Sequence, residues 1–141
     1  MKRITGEKNI LSLLNEFDDV FPHNREKIDD YNGWAKKINE KGIAVTFDDH
    51  DKHIGIAVFY ANDIDNKNGY ISLIGLKSDY CGKGYGAVFL NNIILEMRKE
   101  GMISISLEVD NDNQRALAFY KKHGFEINKD RETTKLLKLT L

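Results

Sequence analysis

The chain has 141 residues, 41% of them hydrophobic and 30% charged, with a formal net charge of −1. That supplies one globular domain with a continuous core, expected to span 1–141, and excludes binding driven by bulk positive charge, whether to nucleic acid or to an anionic membrane surface. The one cysteine, Cys81, excludes an internal disulfide framework and cannot make a metal cluster alone.

Taken in order, Met1 to Thr5 carries no apolar signal-like run, and no stretch has the length and apolarity of a bilayer span, so a cytoplasmic location is expected. Asn9 is placed to cap a helix from Ile10 to about Phe17, with Ile10, Leu11, Leu13, Leu14 and Phe17 as its apolar face. This helix should stop before Pro22, within a polar stretch from Asp18 to Asp30; a second helix is expected from Tyr31 to Lys41, ended by Gly42. Such a pair could line a cleft, but a solvated helical hairpin covering one sheet face is the better reading. Ile43 to Phe47 and Ile54 to Tyr60 then read as a β-hairpin joined by Asp48 to His53. The acids and histidines of that turn resemble metal ligands, yet such residues in a polar turn are usually exposed turn formers, and no metal site is expected.

After a further turn at Ala61 to Asn68, the organising stretch begins. Tyr70 to Leu76 has strand character, whereas Ala87, Leu90, Ile94 and Met97, widened by Ile93, recur at helical spacing up to Gly101. Between them stand Gly82, Gly84 and Gly86. Three glycines in five positions turn a backbone sharply and leave its N–H groups uncovered, just where a helix begins and its first amides lack partners, so phosphate or pyrophosphate is the natural guest. Ile103 to Val109 returns as a strand, Asn113 caps a helix whose Ala116, Phe119 and Tyr120 share a face, and Gly124 ends it; strands at Phe125 to Asn128 and Thr133 to Leu139 close the chain. Gly82-x-Gly84-x-x-Ala87 with Glu108 further on also fits a permissive dinucleotide pattern, but the chain offers one crossover where that fold needs successive βαβ units.

Tyr80-Cys-Gly-Lys-Gly-Tyr-Gly86, followed after one helix and one strand by Asn113-Gln-Arg-Ala-Leu-Ala-Phe-Tyr-Lys-Lys-His-Gly-Phe125, resembles the two signature motifs of the GNAT superfamily of acyl-CoA-dependent N-acetyltransferases. The resemblance covers about residues 43–141. It implies a mixed α/β fold of the α+β type: a central sheet, flanking helices and a splayed strand pair. It also implies transfer of an acetyl group from acetyl-CoA, the co-substrate, to a primary amine, with a small molecule favoured over a peptide or protein. A non-catalytic acyl-CoA-binding or regulatory module is the other alternative.

By the same resemblance, Ile74, Gly75 and Leu76 bind the pantetheine arm and polarise the carbonyl where the strands part. Cys81, Gly82, Lys83, Gly84, Tyr85, Gly86 and Ala87 hold the pyrophosphate, with Asn113 assigned to the same co-substrate. Gly75 suits a bulge. The family's usual Gln or Arg falls on Cys81, a departure that should weaken rather than abolish binding, because backbone amides do most of the work; Lys83 is available to supply the charge. Tyr120 matches the tyrosine that protonates the departing thiolate. The base is less defined: the central strand carries Ser72 where an acid often stands, and Glu108 is the nearest carboxylate, although a salt bridge suits it better and water can take the proton. Acetyl-CoA and a small amine are the expected partners, with no nucleic acid and no membrane, in a monomer or homodimer.

Overall fold

In the computed structural model, residues 1–20 and 30–141 are described. Strand β1 (Lys2–Ile4) pairs antiparallel with β2, and Gly6, at φ 94°, turns the chain into helix α1 (Glu7–Glu16). The helix therefore starts three residues before the expected Ile10. Asn9 is inside its first turn, donating to the Thr5 carbonyl at 3.0 Å, while the Gly6 amide is bound by Asn39 of the next helix. Helix α2 (Tyr31–Lys41) has the expected bounds; Pro22 and its neighbours lie outside the described residues. Ile10, Leu13, Leu14 and Phe17 pack with Ala35 and Ile38 over Ala44, Ile56, Val58 and Leu73, so the two helices cover one sheet face.

Strands β2 (Ile43–Asp49) and β3 (Lys52–Tyr60) leave a turn of only His50 and Asp51, shorter than the six residues expected. Pairing continues through Asp48↔His53 and Asp49↔Lys52, and a 2.7 Å contact between His53 Nδ1 and Asp48 Oδ1 fastens that end. Strand β4 (Asn68–Leu76) pairs antiparallel with β3, but Val58 faces Leu73 and Phe59 faces Ile71, so Ser72 is an extra residue. The bulge expected at Gly75 is therefore at Ser72, and it moves successive apolar side chains to opposite faces: Ile71 joins one core and Leu73 the other. Gly75 has a different use. A Cβ there would come within 2.8 Å of Val20 Cγ1, so the missing side chain lets the segment after α1 close onto the strand.

A short 3₁₀ turn (Ser78–Tyr80) leads to α3 (Tyr85–Lys99), followed by β5 (Ser104–Asp110), α4 (Gln114–Lys122), β6 (Glu126–Asp130) and β7 (Thr134–Thr140). Among the described residues the strands form one seven-stranded sheet in the order β1-β2-β3-β4-β5-β7-β6, the mixed α/β architecture implied by the motifs. Helices α3 and α4 cover its other face, where Phe89, Leu90, Ile93, Met97, Leu117 and Tyr120 meet Phe59, Ile71, Ile105, Leu107 and Leu137. Ala87 and Ile94 are only half-buried, because the contact face of α3 is turned toward Phe89 and Ile93. Among the described residues no helix is long and apolar enough to cross a membrane.

One irregularity of the sheet positions the site. β4 and β5 are the parallel pair, and their ladder runs only from Asn68↔Ser104 to Ile71↔Leu107. Beyond it β4 stays with β3 and β5 stays with β7, so the sheet parts in its middle.

Candidate functional site

The open edge of β4 runs straight into the glycine turn. Tyr80 donates its amide to the Lys77 carbonyl at 2.9 Å and Cys81 to the Ser78 carbonyl at 3.2 Å, which fixes the approach. Gly82 and Gly84 then take φ of 74° and 88°, values that an L side chain resists. Among the described residues nothing accepts the amides of Gly82, Lys83 and Gly84. Those of Tyr85, Gly86 and Ala87 belong to the first turn of α3, which has no side-chain cap. Six consecutive donors therefore stand together at the positive end of a fifteen-residue helix.

The space before them is open: a Cβ on Gly84 would meet nothing within 4 Å. Tyr85 is braced edge-on by Tyr80 and Phe47, with centroids 5.6 and 6.3 Å away. Ile74, Leu76 and Ala87 are half-buried beside this turn, and Lys83 is exposed. Cys81 is also exposed, but its Sγ lies 3.8 and 3.7 Å from the Leu76 and Lys77 carbonyls, turned back to the strand end. One neighbour escaped the sequence reading. A Cβ on Gly82 would lie 3.5 Å from Nη2 of Arg115, while one on Gly86 would touch the Phe119 ring at 3.6 Å. Arg115 and Phe119 are four apart on α4, so one stripe of that helix faces the turn. The i, i+4 spacing was visible in the sequence; what it faced was not.

Asn113 is engaged locally, its Oδ1 accepting the Ala116 amide at 3.2 Å as the cap of α4. Tyr120 is 8% exposed and packed edge-on against Phe119 and Phe125, with centroids 5.3 and 5.5 Å away. Its hydroxyl makes no hydrogen bond among the described residues. Burial pushes its phenol well above the ordinary tyrosine value, which keeps the proton on through the neutral range. Glu108 lies on β5 past the point where β4 leaves. Its carboxylate takes hydrogen bonds from Arg131 and from Thr134 Oγ1, the latter at 3.0 Å, so the salt-bridge reading suits it better than that of a free base. Tyr70 shares that environment; burial first, and then the Glu108 charge, raise its phenol, with Arg131 opposing.

The hairpin histidines pair with acids of the hairpin itself, His50 with Asp49 at 2.9 Å and, across the strands, His53 with Asp48 at 2.7 Å, and no group of three metal-binding side chains occurs among the described residues. Beside that hairpin a cleft of about 410 Å³ opens toward the end of α1 and the Ser78–Tyr80 turn. Its walls include Glu16, Asp51, Asp79 and His53, and Lys77, which is bridged to Glu16 at 2.9 Å.

An amide cradle at a helix start, next to a parted parallel strand pair, is an arrangement that suits a phosphate-bearing ligand. Residues 9–125 match the model of the acetyltransferase (GNAT) family, and the chain belongs to that family. It is 31% identical over 87 residues to a mycothiol acetyltransferase of Propionibacterium freudenreichii subsp. shermanii, covering 61% of this chain but only 28% of that protein. It is 29% identical over 132 residues to N-alpha-acetyltransferase 50 of Danio rerio, covering 79% of this chain and 74% of that one. A PaiA N-acetyltransferase from Thermoplasma acidophilum, solved in complex with coenzyme A, superposes with a TM-score of 0.75 at 14% identity, over 99% of this chain and 97% of that chain.

Proposed function

We propose that this chain is a single-domain, acetyl-CoA-dependent N-acetyltransferase acting on a primary amine, with a small molecule favoured. The run of unfilled amides from Gly82 to Ala87 carries the reading: oriented donors at a helix start suit a diphosphate, and the open space before Gly84 lets one approach. The parting of β4 from β5 supports the rest, because the β5-facing backbone of Ser72 to Leu76 lacks a strand partner and is available to an extended pantetheine arm.

In the reaction a neutral amine attacks the acetyl carbonyl; the C–N bond forms, the C–S bond breaks, and the thiolate leaves. Donors from the open β4 edge, around Ile74 to Leu76, stabilise the oxygen that gains charge. Tyr120 gives the thiolate its proton and regains one from solvent; burial keeps the phenol protonated and also weakens it as an acid, so the transfer depends on the thiolate being held against the hydroxyl. With Glu108 held by Arg131 and Thr134, the amine's proton goes to water.

The cleft beside the hairpin sets Glu16, Asp51 and Asp79 against Lys52 and Lys77, and this small, mixed-charge volume favours a small polar amine. The second reading, the α-amine of a peptide, is favoured by the likeness to N-alpha-acetyltransferase 50. Acetyl-CoA should raise the melting temperature, and a screen of amines, amino sugars, amino acids and peptides for thiol release should find the acceptor; acetyl-CoA without thermal effect would reject the reading. For two acceptors about two pKa units apart, the rising limb of kcat/KM should follow the amine and survive Glu108→Gln. A midpoint indifferent to the acceptor would mean a protein base, and loss of the limb in Glu108→Gln would identify it.

A further inference from the structure

We infer that Arg115 binds the diphosphate of acetyl-CoA, closing the Gly82–Ala87 cradle from the side of α4; this rests on the acetyl-CoA reading above. Four observations converge on it. The guanidinium lies against Gly82, the first residue of the amide run. It has no ion-pair or hydrogen-bond partner among the described residues. It also stands in the first turn of α4, at the positive end of that helix, where a cation is unfavourable for stability. An exposed arginine that only served folding would be better placed near a carboxylate or at the helix's other end. Finally, Cys81 has turned its thiol toward the Leu76 and Lys77 carbonyls and brings no charge to the cradle.

The position of Arg115 is also well fixed. Its backbone is set by the Asn113 cap two residues before it, and Phe119, one turn further on, sets the distance from α4 to the first turn of α3 at Gly86. The amides and the guanidinium thus approach one volume from two elements. A planar fork of N–H donors matches two phosphate oxygens, whereas the ammonium of exposed Lys83 offers a point charge on a flexible stem. Placement at Gly82, within the amide run, selects the diphosphate over the ribose 3′-phosphate.

The test is calorimetric titration of the full chain with acetyl-CoA and with its 3′-dephospho form, at low and high salt. Arg115→Ala should weaken acetyl-CoA about tenfold, the effect of losing one charge-assisted contact in a solvated site. The same factor should appear with the 3′-dephospho form, the salt dependence should become shallower, and Arg115→Lys should fall between. Without ligand, Arg115→Ala should melt no lower than the parent, since it removes an unpaired cation from a helix start; a purely structural arginine would lower it. Parent protein that binds acetyl-CoA while Arg115→Ala binds it equally well overturns the inference alone. A loss confined to the 3′-phosphorylated ligand overturns it too. Parent protein that fails to bind acetyl-CoA overturns the functional reading, and this inference with it.

Discussion

Helices α3 and α4 cover the same sheet face yet begin in opposite ways. α4 is closed by its own sequence: Asn113 occupies the Ala116 amide before any ligand arrives. α3 follows two glycines at positive φ, has no side-chain cap, and keeps its first amides open. A cap contributes about 1 kcal/mol to a typical helix, so the open start of α3 forgoes stability that α4 collects. The two helices accordingly differ in what they present, α3 its open backbone amides and α4 side chains: Arg115 and Phe119 toward the turn, and Tyr120 to the core.

The comparison breaks most completely at Gly84. Gly84→Asp introduces a side chain at φ 88° and an anion in front of the amides, and it should abolish the rise in melting temperature caused by acetyl-CoA. Gly84→Asp retaining the full rise would mean that the start of α3 is not the binding site.

Tyr120→Phe addresses α4. It keeps the ring packing, so kcat should fall by roughly 10²-fold, the range usual for a general acid, with little change in acetyl-CoA affinity. Unchanged kcat would leave Tyr120 a packing residue. The same variant has a signature that needs no acceptor. The folded phenol loses its proton at higher pH than the unfolded one, whose pKa is near 10; above that pH the unfolded chain therefore holds fewer protons, and stability falls as pH rises. Denaturant titrations between about pH 9 and 11 should show a shallower fall in Tyr120→Phe. Some slope should remain, because Tyr60 and Tyr70 are raised in the same direction.

The smallest effect belongs to Asn113. Asn113→Ala should cost about 1 kcal/mol of stability, and Asn113→Asp should restore most of it. Lost acetyl-CoA affinity with unchanged stability would instead return Asn113 to the co-substrate site.

Much of this division could be read in the sequence, because its signals are local. The glycine spacing before α3, the Asn113 cap and the bounds of α2 each depend on residues within a turn or two. What could not be read depends on partners distant in the chain. The bulge at Ser72 exists only in register with Val58 and Phe59; α1 begins at Gly6, whose amide is bound by Asn39; the β2–β3 pairing outlasts its apolar residues because Asp48 meets His53. A salt bridge is already the better reading of Glu108 in the sequence, but its partners, Arg131 and Thr134, lie more than twenty residues along the chain. The placement of Arg115 at Gly82 is of the same kind.

The amide cradle also bears on selectivity. Polyanions are abundant in any cell, and a protein that gripped one through an excess of lysines would collect nucleic acids as well. Here the net charge is −1, and the open donors are peptide amides gathered at the start of one helix. Their field fades within a few ångströms, so a long duplex passing over the surface meets little to hold it. A compact anion that reaches into the turn meets open amides there.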